Sequence, residues 1–306
     1  MDNVANILIN SYGALKNPSR LLSPFRYMLR NVANILVPVY YKRHPVKHLY
    51  RSDSNIVISL TSFPARIDRV WIVIESLFRQ TLLPNKIILW LAKTQFRDIS
   101  ELPLSLTTRI NDLFEIRFVD EDLKSHKKYY YTFREFKECI TVIVDDDIIY
   151  PCNMIEELIN TMKENPNSIL CRFGLQMKFD AEGELKPYSQ WAEYYEPYSK
   201  DFFFGSGGGT LFPTKEMPEE TVDKDLFFSL TPTADDVWLN AMARVAKLKI
   251  LIITNSLFLP IINKNKFRLT NINVGENQND VQLKNVIDYY KVKGVDLFKK
   301  EDDVSQ

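Results

Sequence analysis

Apolar positions follow two alternating patterns from Asn55 onward. A continuous apolar run at Asn55 to Leu60 (NIVISL) reads as a first buried strand, and Lys86 to Leu91 (KIILWL), Glu115 to Val119 (EIRFV) and Thr141 to Val144 (TVIV) read as a second, third and fourth. Between them, apolar residues recur at helical spacing over about Asp68 to Gln80 and His126 to Phe136, and again from Pro151 to about Lys163. Strands separated by helices require right-handed crossovers and predict an α/β fold whose mainly parallel sheet has helices on both faces. Ligands of such sheets bind beyond the carboxyl ends of the strands, so the residues that follow each apolar run carry the candidate chemistry.

Ahead of this body lies a segment of different character. Leu21, Leu22, Phe25, Met28, Leu29, Val32, Ile35 and Leu36 recur at helical spacing, with Ser23 as N-cap and Pro24 in the first turn. Arg26 and Arg30 fall outside that stripe. The segment is too interrupted to span a bilayer, and residues 3–10 lack the basic and apolar regions of a signal peptide. Two readings remain open: an amphipathic helix lying in an anionic lipid interface, or a helix packed on its own domain.

The chain has 306 residues, 45% hydrophobic and 25% charged, which excludes disordered and fibrous classes. Its 39 basic and 39 acidic residues cancel, but unevenly along the chain. Residues 3–52 contain no Asp or Glu, while Lys16, Arg20, Arg26, Arg30, Lys42, Arg43, Lys47 and Arg51 make this arm strongly basic. The body carries the compensating negative charge and has no basic stripe, which argues against a nucleic-acid partner. Cys139, Cys152 and Cys171 are odd in number and widely spaced, favouring a reducing compartment over a disulfide framework or zinc site.

Asp145, Asp146 and Asp147, directly after the fourth apolar run, are the strongest chemical signal. Adjacent carboxylates repel one another unless a cation sits among them. With persisting strand geometry, Asp145 and Asp147 would share a side and offer the hard oxygen ligands that Mg²⁺ or Mn²⁺ prefers. Capping of the next helix is the alternative, but needs only one Asp. Asp235 and Asp236 open another helical pattern, where acidic residues complement the helix dipole or, within reach of a hydroxyl, act as a general base. Gly207, Gly208 and Gly209 permit close approach of backbone to a ligand, without the lysine of a P-loop. Ser125, His126, Lys127 and Lys128 open a helix suited to a phosphate or sugar hydroxyl, with His126 either a polar contact or a surface residue. Trp191, Tyr194 and Tyr195, with Glu193 and Glu196, suit either sugar stacking or a core.

ISLTSFPAR (Ile58 to Arg66), SLFRQTLLP (Ser76 to Pro84), SHKKY (Ser125 to Tyr129), VDDDIIYP (Val144 to Pro151), GGGTLFP (Gly207 to Pro213) and TADDVWL (Thr233 to Leu239) form an ordered set. Together they resemble bacterial glycosyltransferases of the GT-A fold, of the kind found in capsule and O-antigen loci, over about residues 55–296. The resemblance implies a GT-A-like catalytic domain at 53–298, with a nucleotide-sugar half (53–150) and an acceptor half (151–298), flanked by the basic arm 1–52 and a polar tail 299–306. It implies that Asp147, with Asp145, binds Mn²⁺ or Mg²⁺. It further implies that Thr61, Ser62, Pro64, Arg66, His126, Lys127, Lys128, Asp145, Asp146, Gly208 and Gly209 contact the donor, and that Asp236, supported by Asp235, is the catalytic base.

The expected activity is transfer of a hexosyl or N-acetylhexosaminyl group, with inversion, from a nucleoside-diphosphate sugar, UDP-sugar favoured, to a glycan acceptor. The expected setting is the cytoplasmic membrane face with a lipid-linked acceptor, the basic arm meeting the anionic surface. One departure from the family pattern is that His44, His48 and His126 all precede the acidic triplet, leaving no C-terminal histidine as a metal ligand; Asn263, Asn265, Asn271 and Asn273 are available there. A sugar-phosphate nucleotidyltransferase is an alternative, although TSFPAR lacks the expected Gly-rich loop. A catalytically silent glycan-binding or scaffold protein is another.

Overall fold

The computed structural model describes residues 4–15, 22–46, 55–193, 202–253, 258–262 and 278–299. In chain order the elements are α1 (Val4–Ala14), α2 (Ser23–Arg43), β1 (Ile56–Thr61), α3 (Ile67–Phe78), β2 (Lys86–Ala92), α4 (Leu104–Thr107), β3 (Phe114–Val119), α5 (Lys127–Glu135), β4 (Ile140–Val144), β5 (Ile148–Ile149) and α6 (Met154–Glu164). There follow β6 (Ile169–Cys171), β7 (Gly174–Gln176), β8 (Ala192–Glu193), β9 (Phe202–Phe204), β10 (Gly208–Pro213), α7 (Lys224–Leu230), α8 (Asp235–Val245), β11 (Ile250–Ile252), β12 (Leu259–Pro260) and α9 (Gln278–Val292).

Seven strands form the central sheet in the order β11-β6-β10-β4-β1-β2-β3. All neighbours are parallel except β10, which runs antiparallel to both β4 and β6. The α/β class and mainly parallel sheet expected from the sequence are therefore present. Side-chain alternation divides the interior into two layers. Val142 and Val144 of β4 join Ile56, Ile58 and Leu60 of β1 in a core shared with α2, α3 and α6, whereas Ile143 faces a second core with α5, α8 and α9. Polar groups within the sheet are paired: Ser59 Oγ lies 2.7 Å from Thr132 Oγ1, to which Trp90 Nε1 donates at 2.8 Å. Burying these groups unpaired would cost about 1–3 kcal/mol each.

The arm packs on the body through the α2 face bearing Ala33, Asn34, Val37 and Tyr41. Helix α2 begins at Ser23 without a side-chain cap and continues through Pro38, so the expected Ser23 cap is not formed. Asn34 is the tie: its Nδ2 donates to Pro260 O at 3.0 Å, and Ile262 N donates to its Oδ1 at 2.8 Å. Arg69 of α3 donates to Ile262 O at 2.5 Å and to Asn34 O at 3.3 Å. Arg26 and Arg30 lie over the rings of Tyr12 and Tyr27, at 4.2 and 5.2 Å. Among the described residues no helix is long and apolar enough to cross a membrane. The arm residues Lys16, Arg20, Leu21, Lys47, His48 and Arg51, and the tail residues 300–306, lie outside the described residues.

Replacing Asn34 by Ala removes both long-range side-chain bonds and is expected to lower stability by about 1–3 kcal/mol, read as a reduced urea midpoint. An unchanged midpoint would show that the arm is not tied through this residue.

Candidate active site

The carboxyl edge of the sheet collects five segments. Central strand β4 delivers the acidic triplet and neighbouring β1 delivers the turn 61–66, while β10 starts with its glycines alongside Val144. The amino ends of α5 and α8 supply Lys128 and the Asp235–Asp236 pair.

The strand does not persist through the triplet. It ends at Val144, and Asp145 N donates both to Gly207 O at 2.9 Å and to Tyr150 Oη at 2.8 Å, fixing a turn. The three carboxylates consequently find different partners. Asp146 is buried, accepting from Ser62 Oγ and Arg66 Nη1, both at 2.6 Å, while Arg66 Nη1 also lies 3.0 Å from Asp147 Oδ2. Asp145 faces Lys128 Nζ at 3.0 Å. Burial would pull the Arg66 guanidinium down, but Asp146 and Asp147 outweigh it and hold its pKa above the usual value.

Lys128 Nζ also donates to Asp235 Oδ2 at 2.8 Å, bridging the triplet to the pair at the start of α8. Desolvation alone would lower this ammonium, yet Asp145, Asp235 and Asp236 together raise it, keeping it charged. Ser206 organises the pair: its Oγ donates to Asp235 Oδ2 and its N–H to Asp236 Oδ1, each at 2.8 Å. Asp235 is buried and, despite desolvation, is held below the ordinary carboxylate range by Lys128. Half-buried Asp236 is pushed up to about 6, first by desolvation and then by the neighbouring Asp235 charge. Adjacent carboxyls thus have opposite shifts, as expected of a division between a permanent anion and a proton acceptor.

The orientation of α8 is secured from behind. Gln282 Oε1 accepts the N–H groups of Thr233 and Ala234, both at 3.0 Å, while Asn240 exchanges hydrogen bonds with Phe204 N and O at 3.1 and 2.8 Å. Gly207 has room for no side chain: a Cβ there would fall 1.9 Å from Asp145 Cγ. Gly209 adopts φ +91° at the irregularity in the β10–β4 register, a conformation costly to other residues.

Other expected site residues divide. Thr61 Oγ1 donates to Trp90 O at 2.8 Å, and Pro64 is exposed at the turn. His126, expected as a donor contact or surface residue, is fully buried: its ring lies 2.9 Å from Tyr129 Oη and 2.6 Å from Thr231 O, stacked on Phe227. Desolvation lowers it to about 4, so it is a neutral core residue. Lys127, likewise expected at the donor, turns to Asp122 instead. Trp191 is core, its Nε1 donating to Lys186 O at 2.8 Å, while Tyr194, Tyr195 and Glu196 lie outside the described residues. The asparagines at 263, 265, 271 and 273 lie outside them too.

A groove of about 640 Å³ is lined by Asp120, Glu121, Asp122 and Lys224 among others, and by none of the carboxylates at Lys128 or Arg66. Ser206 lies in none of the sequence motifs, and Tyr150 falls within VDDDIIYP but had no role assigned to it.

No protein-family model matches the chain, and no curated protein matches it. Among solved structures, the chain is similar to S. aureus TarS 1–349 in complex with UDP, at 12% identity over 66% of this chain and 59% of that one, with a TM-score of 0.42. A structure of S. aureus TarS gives 13% identity over 66% of this chain and 36% of the other, with the same TM-score of 0.42. The chain thus spans less than two thirds of either.

Removing the central cation tests the electrostatic arrangement. Lys128→Met is expected to cost about 3–5 kcal/mol, because it strands the buried Asp235 carboxylate. That loss grows as pH rises through about 6, where Asp236 ionises. Urea unfolding at pH 5 and pH 8 checks this; equal losses at both would contradict the coupling.

Proposed function

We propose that the chain is a metal-dependent glycosyltransferase. It moves a hexosyl or N-acetylhexosaminyl group from a nucleoside-diphosphate sugar, UDP-sugar foremost, to a glycan acceptor. The observation that carries this reading is the Lys128 bridge: one ammonium joins the triplet after β4 to the helix-start pair whose Asp236 has a pKa near 6. A donor-facing acidic edge and a proton acceptor thereby share one network.

The donor set fits a divalent cation. Asp145, Asp146, Asp147, Asp235 and Asp236 outnumber Lys128 and Arg66, the cations that pair with them, and the side chains of Asp145 and Asp147 remain 39% and 31% exposed. Among the described residues no three metal-ligating side chains gather; in this reading Asp147 with Asp145 would hold Mn²⁺ or Mg²⁺, and diphosphate oxygens and water would complete the shell. When bound, Mn²⁺ or Mg²⁺ supplies charge neutralisation for the departing nucleoside diphosphate.

The chain's own residues do the rest. Arg66, held by Asp146, lines the nucleotide side with Thr61, Ser62 and Pro64, and the backbone at Gly208 and Gly209 approaches the donor sugar. Asp236 takes the proton of the acceptor hydroxyl as that oxygen bonds to the anomeric carbon and the bond to the diphosphate oxygen breaks. Attack opposite the leaving group inverts the anomeric centre. Asp235 stays ionised, holding Lys128. The acceptor is a growing, lipid-linked cell-surface polysaccharide of capsule or O-antigen type, and the compartment is the cytoplasm.

Asp236→Asn is expected to lower kcat by about 10²–10⁴-fold with the donor KM nearly unchanged, while Asp147→Asn raises the donor KM. Full turnover by Asp236→Asn on a verified acceptor would overturn the base assignment. For the wild type, kcat/KM should rise with pH through about 6 and then level off, because the base acts only when ionised. An acid limb unmoved from ordinary carboxylate values would exclude Asp236 as that base.

A further inference from the structure

Helix α2 has two apolar faces. One, with Ala33, Val37 and Tyr41, is buried against the body. At 100° per residue, Phe25, Met28, Val32, Ile35, Leu36 and Val39 fall on the opposite face. They are exposed there: Phe25 58%, Met28 60% and Ile35 67%. Such a continuous apolar stripe on the outside of a packed helix is uncommon for a surface without a partner. Exposed Lys42 and Arg43 follow it in the last turn.

We infer that this outward face of α2 docks on an anionic lipid surface, with the six apolar side chains entering the interface and Lys42 and Arg43 meeting head-group phosphates. Charge complementarity selects the occupant. From residue 3 to residue 52 the chain has no acidic side chain, so two copies pairing through this stripe would juxtapose uncompensated positive charge. An anionic bilayer supplies the opposite charge along with an apolar boundary. Arg26 and Arg30 take no part, since they are turned to the rings of Tyr12 and Tyr27.

The docked helix is tied to the acidic triplet. Asp147 O accepts from Ile261 N at 2.7 Å, and the next residue, Ile262, donates from its N to Asn34 Oδ1 at 2.8 Å. Docking therefore holds the carboxyl edge of the sheet at a set position relative to the bilayer. Membrane docking does not rest on the transfer reading; delivery of a lipid-carried acceptor to the site does.

The test is co-sedimentation of the full chain with vesicles of phosphatidylcholine alone or with about 30% phosphatidylglycerol. The chain is expected to sediment with the anionic vesicles and at least tenfold more weakly with the neutral ones. About 0.5 M salt should reduce binding by screening the basic residues. Met28→Glu with Ile35→Glu should weaken binding at least tenfold while the melting temperature and UDP titration stay unchanged, because both positions are exposed. Lys42→Glu with Arg43→Glu should abolish the preference for anionic lipid. Wild-type protein left in the supernatant of anionic vesicles would overturn the inference, as would undiminished binding of the Met28/Ile35 variant. A wild-type dimer in sedimentation velocity that this variant dissolves would assign the face to a second copy instead.

Discussion

The Lys128 ammonium, buried at the carboxyl edge of the sheet, is the constraint on which the candidate site depends. It lies 3.0 Å from Asp145 and 2.8 Å from Asp235, which are remote from one another in sequence. Without it those carboxylates would face one another across a poorly solvated gap, where like charges repel more strongly than in water. With it, Asp235 remains an anion, and burial together with the neighbouring Asp235 charge raises the proton affinity of Asp236. Tuning a base in this way needs no extra group: two adjacent carboxyls at one helix start suffice when only one of them touches the cation.

Much of the scaffold was legible because parallel strands buried on both faces read as unbroken apolar runs. NIVISL, KIILWL and TVIV became β1, β2 and β4 for that reason. The acidic triplet and Asp235–Asp236 were legible as charge placed where a buried element ends or begins. Lys127 and Lys128 could not be told apart locally. Adjacent helix positions diverge by about 100°, which sends one lysine to Asp122 and the other to the carboxylate cluster. His126 looked polar but is buried because the distant Phe227 and Thr231 O, with the local Tyr129, receive its face and ring nitrogens. Ser206 belongs to no motif, and its role appears only once β9, β10 and α8 meet.

The arm illustrates the limits of periodicity in another way. Helical spacing identified α2, but an apolar stripe does not reveal whether it faces protein or something else. The inward face is set by Asn34, whose partners at Pro260 and Ile262 are far along the chain. A polar residue thus selects the buried side, and the more apolar side is turned outward. The same bonds connect the arm to the turn carrying Asp147, even though the arm lies far from that turn in sequence.

Titration calorimetry of the purified chain with UDP and with GDP, each with Mn²⁺ and with chelator, tests the central claim most directly. The account requires one nucleoside diphosphate to bind in the presence of Mn²⁺ and to lose at least tenfold in affinity with chelator. No binding of either, followed by none of the remaining nucleoside diphosphates, would contradict a donor site at the acidic triplet.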